Sequence, residues 1–249
     1  GEEKRWGKLM EISYVSDLNR RIDEGKIKEL IQISEALHER KIVEIADMIT
    51  KQKKRIILIA GPSSSGKTTF AQRLCIQLRV HGLKPLYLGT DDYFVEREQT
   101  PTDEFGEKDY ENLNAVDIDL FNDNMNDLLA GKEVDLPVFN FLTGHKEFGT
   151  KKTRIKATQP IVIEGIHALN RALTPKIAEE EKFKIYISPL IQLNIDNHNR
   201  IVTTDHRMLR RMVRDYKYRG YSAQNTIDSW PKVRAGEDKN IFPFAGEAD

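Results

Sequence analysis

Ile56-Ile57-Leu58-Ile59-Ala60-Gly61-Pro62-Ser63-Ser64-Ser65-Gly66-Lys67-Thr68 is the stretch on which the fold turns. Five consecutive apolar residues running into glycine read as a strand buried on both faces, as in a parallel sheet. The next eight residues match G-x-x-x-x-G-K-[ST] in full, and residues 67–80 continue as a helix that stops at Gly82. Strand, glycine-rich turn and helix in this order make a cradle for phosphate. Small residues let the backbone approach phosphate oxygens closely, and the N–H groups at the helix N-terminus face those oxygens with positive partial charge. Gly61, Ser63, Ser64, Ser65, Gly66 and Thr69 are the candidates to wrap the phosphates. Lys67 has the reach for the β- and γ-phosphates, and the Thr68 hydroxyl suits Mg²⁺. The pattern implies a nucleoside triphosphate, ATP or GTP, bound with Mg²⁺.

Downstream, short apolar strands alternate with helices. Leu86-Tyr87-Leu88 leads to Asp91-Asp92, Pro160-Ile161-Val162-Ile163 ends at Glu164, and Phe183-Lys184-Ile185-Tyr186-Ile187 reads as a fourth strand. Residues 117–130 read as a helix stopped by Gly131, a basic helix spans about 204–218, another covers 222–229, and 95–112 is polar and loop-like. Alternation of this kind predicts a parallel α/β sheet. Upstream, residues 17–50 show helical spacing with a break at Gly25, and Lys51-Gln52-Lys53-Lys54-Arg55 separates them from the first strand. The expected fold is therefore a three-layer α/β P-loop kinase with a parallel sheet, preceded by a short helical segment. Residues 1–52 form the lead-in and 53–249 the main domain.

Bulk composition narrows the function classes. The chain has 249 residues, with Lys+Arg and Asp+Glu both 39, so the net charge is zero. That balance argues against a protein built to coat nucleic acid or an anionic membrane. A lone cysteine, Cys75, leaves no intrachain disulfide, and it reads as a packing residue of the helix after the cradle. No apolar run approaches the ~20 residues that span a bilayer, and Gly1-Glu2-Glu3-Lys4-Arg5 is not followed by a secretory apolar stretch. A cytosolic protein is expected, and self-association is compatible with all of this.

In an open α/β sheet, ligands sit beyond the carboxyl ends of the strands. Asp91 and Glu164 follow two such ends. A kinase acceptor hydroxyl loses its proton as the phosphoryl group arrives, and Asp91 is the candidate base, with Asp92 an equal candidate for capping the turn. Glu164 is the candidate partner of Mg²⁺, directly or through water. Arg207, Arg210, Arg211 and Arg214 fall at i, i+3, i+4 and i+7, one face of a helix. Four guanidinium groups side by side call for an anion. With a phosphate cradle in the same chain, that anion reads as triphosphate, under a lid that neutralises the transferring group. Nucleic acid is disfavoured, because no aromatic interleaving accompanies the arginines.

These residues together resemble the uridine kinase/phosphoribulokinase group over about residues 53–249. Thr90-Asp91-Asp92-Tyr93-Phe94 resembles the family's aspartate-and-aromatics segment, and Asp109-Tyr110-Glu111-Asn112-Leu113-Asn114-Ala115-Val116-Asp117 the segment that holds ribose. Ile163-Glu164-Gly165-Ile166 resembles its Glu-Gly turn, and Asp205 through Arg214-Asp215 with Arg219-Gly220 its lid. The resemblance implies ATP-dependent phosphorylation of a nucleoside 5′-hydroxyl, with Asp91 as base, Tyr93 among the substrate contacts, Glu111 on ribose, Tyr110 beside the base and Arg207 and Arg210 among the phosphate-binding arginines. The base-reading positions depart from the pattern. Phe139 stands where a tyrosine is expected, His145 is displaced by one position beyond Gly144, and Asn225 replaces a glutamine. The alternatives left by these departures are a phosphoribulokinase-like or pantothenate kinase-like enzyme, for which Lys146, Lys151 and Lys152 are available cations, or a nucleotide-binding regulatory module. The resemblance also implies that the helical lead-in ends an upstream region, as in longer fused proteins with domains related to parts of threonyl-tRNA synthetase. It implies a further strand beyond Ala248-Asp249.

Overall fold

The computed structural model describes residues 10–104, 106–189, 193–218 and 220–249. Arg219 and the opening Gly1–Arg5 stretch lie outside them. A four-stranded parallel sheet forms the centre, built from β1 (Ile56–Ala60), β2 (Leu86–Gly89), β5 (Ile161–Glu164) and β6 (Lys182–Tyr186) in the order β2-β5-β1-β6. β1 pairs with both β5 and β6, which explains why every residue from Ile56 to Ala60 is buried. Its side chains alternate between faces. Ile57 and Ile59 join Val162, Phe183 and Ile185 on one side, and Ile56, Leu58 and Ala60 join Leu88, Ile161 and Ile163 on the other.

Each face is covered, giving the expected three layers. On the first, α3 (Lys67–Val80) contributes Phe70, Ala71, Leu74, Cys75 and Leu78. Burial pushes the Cys75 thiol up to about 11, which leaves it a protonated packing residue. The lead-in comprises α1 (Val15–Asp23) and α2 (Ile27–Gln52), with Gly25 at φ 71° between them. The last turns of α2 insert Ile42, Ala46 and Ile49 into the same core as α3. The second face is covered by α4 (Ile118–Leu129), through Phe121, Met125 and Leu128, and by an antiparallel hairpin of β3 (Val134–Asn140) and β4 (His145–Thr153).

The hairpin was not expected. Pro137 interrupts β3 at a register shift between Leu136 and Val138, and β4 is exposed along nearly all of its length, so neither strand carries a continuous apolar signature. The chain ends with α5 (Thr203–Tyr218) and α6 (Ala223–Asn240). α6 runs well past the expected 222–229 and continues through Pro231. Thr226, Trp230, Val233 and Glu237 recur on one buried face, so packing outweighs the hydrogen bond that Pro231 cannot donate. None of the helices among the described residues is long and apolar enough to cross a membrane.

His167 lies just after β5, 1% exposed, and burial holds its imidazole down at about 4, against opposition from the Glu111 and Asn112 backbone and from Asp109. The unfolded chain takes up this proton near the ordinary 6.5, the folded chain only near 4. Between those values the unfolded state binds more protons. His167 should therefore leave stability intact above about pH 6.5 and remove up to ~3 kcal/mol as pH falls to about 4. Urea unfolding across this range should show a shallower loss for His167→Gln than for the parent, and equal slopes would contradict the buried neutral imidazole.

Candidate functional site

The site is built where the parallel strands end. β1 runs directly into the glycine-rich loop. Gly89 of β2 and Glu164 of β5 are register partners, so Asp91, two residues beyond Gly89, emerges beside Glu164. Two glycines permit this convergence. A Cβ on Gly61 would lie 2.5 Å from the Ile187 carbonyl oxygen, and one on Gly165 would lie 2.0 Å from the Thr90 hydroxyl. Gly66, at φ 98°, caps the N-terminus of α3 in a conformation that favours glycine, and Ser64 adopts φ 58° without being one.

A cavity of about 760 Å³ opens above these strand ends. Ser63, Ser64, Gly66, Lys67, Thr68 and Thr69 of the loop line it, together with Asp91, Glu111 and Glu164. Arg210, Arg211 and Arg214 of α5 line the opposing wall. The size is ordinary for a small-molecule site. Lys67 donates to the carbonyls of Gly61 (2.9 Å) and Pro62 (3.2 Å), folded back along its own loop. Burial lowers its pKa, opposed by the negative charges of Glu164, Asp91, Glu111 and Glu237. Burial likewise raises Glu164 and Glu111, the first opposed by the Thr68 hydrogen bond and Lys67, the second by Arg211 and Lys67. Each of these charges is poorly solvated and depends on its neighbours.

The fit of a divalent cation can be judged at Glu164. Its Oε1 accepts the Thr68 hydroxyl at 2.9 Å, while Oε2 is buried with no hydrogen-bond partner among the described residues. A hydroxyl and an orphaned carboxylate oxygen side by side suit a hard cation such as Mg²⁺. Among the described residues no group of three or more His, Cys, Asp or Glu side chains could hold a metal. Phosphate oxygens and water would therefore complete the shell, the usual manner for Mg²⁺.

Asp91 and Asp92 separate clearly. Asp91 lines the cavity, whereas Asp92 accepts from the Phe139 backbone at 3.3 Å and lies 3.5 Å from Lys151, tying the turn to the hairpin.

Several residues expected at the site have other partners in this structure. Tyr93 is 1% exposed, packed edge-on against Phe121 with its hydroxyl accepting from Asn124, so it belongs to the core. Phe139 is buried in an aromatic group with Phe94, Tyr110 and Phe141, ring centres 5.1–6.5 Å apart. None of its rings lines the cavity, whereas Glu111, the sequence neighbour of Tyr110, does. His145 is exposed on the hairpin, its Nδ1 2.7 Å from Glu96. Asn225 completes the capping box of α6 with Ser222, committed to the helix end. Arg207, expected to meet phosphate, is buried in an ion pair with Glu237 and does not line the cavity.

The sequence reading missed Glu237, Val233 and Ile241, which line the cavity from α6 and its end. Glu237 sits in the charged run Arg234–Asn240, which carries no signal to set it apart from a solvated helix face.

Residues 56–249 match the model of the phosphoribulokinase/uridine kinase family. The chain is 31% identical over 195 residues to a uridine kinase of Staphylococcus aureus (strain JH9), covering 78% of this chain and 84% of that one. It is 29% identical over 187 residues to a uridine kinase of Ligilactobacillus salivarius (strain UCC118), covering 74% and 77%. Among solved structures it is similar to a protein of Silicibacter sp. TM1040 provisionally assigned as a fructose transport system kinase, with TM-score 0.50, 13% identity and coverage of 83% and 92%. At that identity the likeness speaks for the fold alone.

The close approach at Gly165 is open to direct test. Gly165→Ala would press a Cβ into Thr90 and should cost ~1–3 kcal/mol of stability, measured by chemical unfolding. A variant as stable as the parent would show that the two strand ends are not held this tightly.

Proposed function

The chain belongs to the phosphoribulokinase/uridine kinase family and is a small-molecule kinase, and we propose that it transfers the γ-phosphate of ATP to the 5′-hydroxyl of a pyrimidine nucleoside. The observation that carries this reading is the meeting, in one cavity, of the loop residues Lys67 and Thr68, the carboxylates Asp91, Glu111 and Glu164, and the arginines of α5.

Each group has a physical part. The loop N–H groups hold the triphosphate, and Lys67 leaves its loop carbonyls to meet phosphate oxygens. Thr68 and Glu164 hold Mg²⁺, which neutralises charge on the phosphoryl oxygens when bound. Asp91 accepts the proton of the acceptor hydroxyl as its oxygen bonds to phosphorus and the bond to the leaving ADP breaks. Glu111 accepts hydrogen bonds from ribose hydroxyls. Arg210, Arg211 and Arg214 neutralise the transferring group and limit water, which would otherwise take the phosphoryl group.

An acceptor already carrying a phosphate fits less well. Two of the lysines available to hold it are engaged, Lys146 with Asp117 at 2.6 Å and Lys151 with Asp92 at 3.5 Å.

ADP release from Mg·ATP, measured with uridine, cytidine, purine nucleosides, pantothenate and ribulose 5-phosphate, tests the acceptor. Stimulation by uridine or cytidine with formation of the monophosphate is the expected result. Stimulation only by pantothenate or the sugar phosphate would replace the nucleoside reading. Asp91→Asn should lower kcat by ~10²-fold or more with Mg·ATP binding retained, and unchanged turnover would remove Asp91 as the base.

A further inference from the structure

Ser63 is held by three separate groups from the C-terminal helices. Its N–H donates to Glu237 Oε1 at 2.9 Å, its carbonyl accepts from Arg207 Nη1 at 3.2 Å, and its hydroxyl accepts from Arg211 Nη1 at 2.9 Å. The neighbouring Ser64 carbonyl accepts from Arg210 Nε at 3.1 Å. Every polar atom of one loop residue is thus bonded to α5 or α6.

Glu237 stands at the centre of this arrangement. It is 1% exposed, and its carboxylate receives four hydrogen bonds. Arg207 provides two, at 2.5 and 2.6 Å, and Ser63 N–H and Arg234 provide one each at 2.9 Å. Four bonds fill the lone-pair directions of a carboxylate. Arg207 is also fixed from another side, its guanidinium 5.4 Å from the centre of the Trp230 ring. A buried ion pair of this kind is weak evidence for stability, because a well-packed apolar pair often does as well or better. What the charges provide here is geometry. Arg210 and Arg211 sit one turn beyond Arg207 on α5 (i+3 and i+4), so fixing Arg207 sets where those two guanidinium groups reach. α6 itself is pressed against the site, since a Cβ on Gly236 would lie 3.2 Å from Glu111.

We propose that Glu237 is a positioning residue for phosphoryl transfer: from α6 it fixes Arg207 and the Ser63 peptide to one another, so that the phosphate loop and the arginine helix present their donors to the nucleotide as one body. The reaction it serves is the one argued above. Its effect on nucleotide binding is separable from the identity of the acceptor.

Glu237→Gln in the full chain keeps the side-chain volume and removes the charge. The Mg·ADP dissociation constant, by calorimetry, should rise ~10-fold, with the KM for ATP rising in proportion and the KM for the acceptor unchanged. The Ser63 amide, followed by hydrogen exchange without ligand, should exchange ~10-fold faster. A folded variant with parental affinity and parental exchange overturns the proposal. Should Glu237→Gln fail to fold, Arg207→Met combined with Glu237→Met removes the unpaired charge and is expected to fold. Weakened Mg·ADP binding and faster Ser63 exchange in that double variant support positioning, whereas parental values would reduce Glu237 to a packing role and overturn it. Failure of every acceptor in the parent would count against the nucleoside reading alone, because calorimetry and exchange need no acceptor.

Discussion

A parallel sheet sends the carboxyl ends of all its strands to the same edge, and this constraint organises the rest of the molecule. β1 is paired on both sides, so its end is fixed by β5 and β6 before any side chain at the site is considered. The loop after β1, the turn after β2 and the acid that ends β5 must then meet. Glycines at 61 and 165 are what that meeting demands, since either Cβ would collide with the neighbouring chain. The chemistry of the site is laid over a backbone that had little freedom to place it otherwise.

Electrostatics adds a second constraint. Lys67, Glu111 and Glu164 are all half-buried, and the desolvation moves each toward its neutral form while the opposite charges nearby hold it back. Two donors of the loop are already bonded, the Lys67 ammonium to two carbonyls and the Ser63 amide to Glu237. A phosphate taken up by Lys67 therefore exchanges that ammonium's internal bonds for new ones, which leaves the net gain from this one contact modest. Glu164 Oε2, by contrast, is a buried acceptor with no hydrogen-bond partner among the described residues.

Much of this was legible in the sequence because the decisive features are local. Residues 56–68 carry strand, turn and helix in one run, and Asp91 and Glu164 are marked by following short apolar strands. The four arginines were recognisable by their spacing, but spacing gives a helix face and not its neighbour. Arg207 faces Glu237, a partner 30 residues away whose charge looks ordinary in sequence. Tyr93 and Asn225 likewise have partners that residue type alone does not reveal. Their types suit ligand contact, but the Asn124 amide and the Ser222 cap claim them first. The hairpin was invisible because its second strand is almost wholly exposed and buries too little to leave a pattern.

The C-terminal end of α2 carries a different lesson, about where a folding unit begins. Sequence motifs mark a beginning at residue 53, just ahead of the first strand. Packing marks it earlier, because Ile42, Ala46 and Ile49 are fully buried against α3 and the sheet. A polypeptide started at Lys53 would keep every residue of the phosphate cradle and still uncover the apolar flank of α3, forfeiting roughly 1.5–3 kcal/mol for each lost isoleucine. The uncovered surface would be a site of self-association. A helix that lies outside every sequence motif of the cradle thus completes the core on which the cradle's own helix rests.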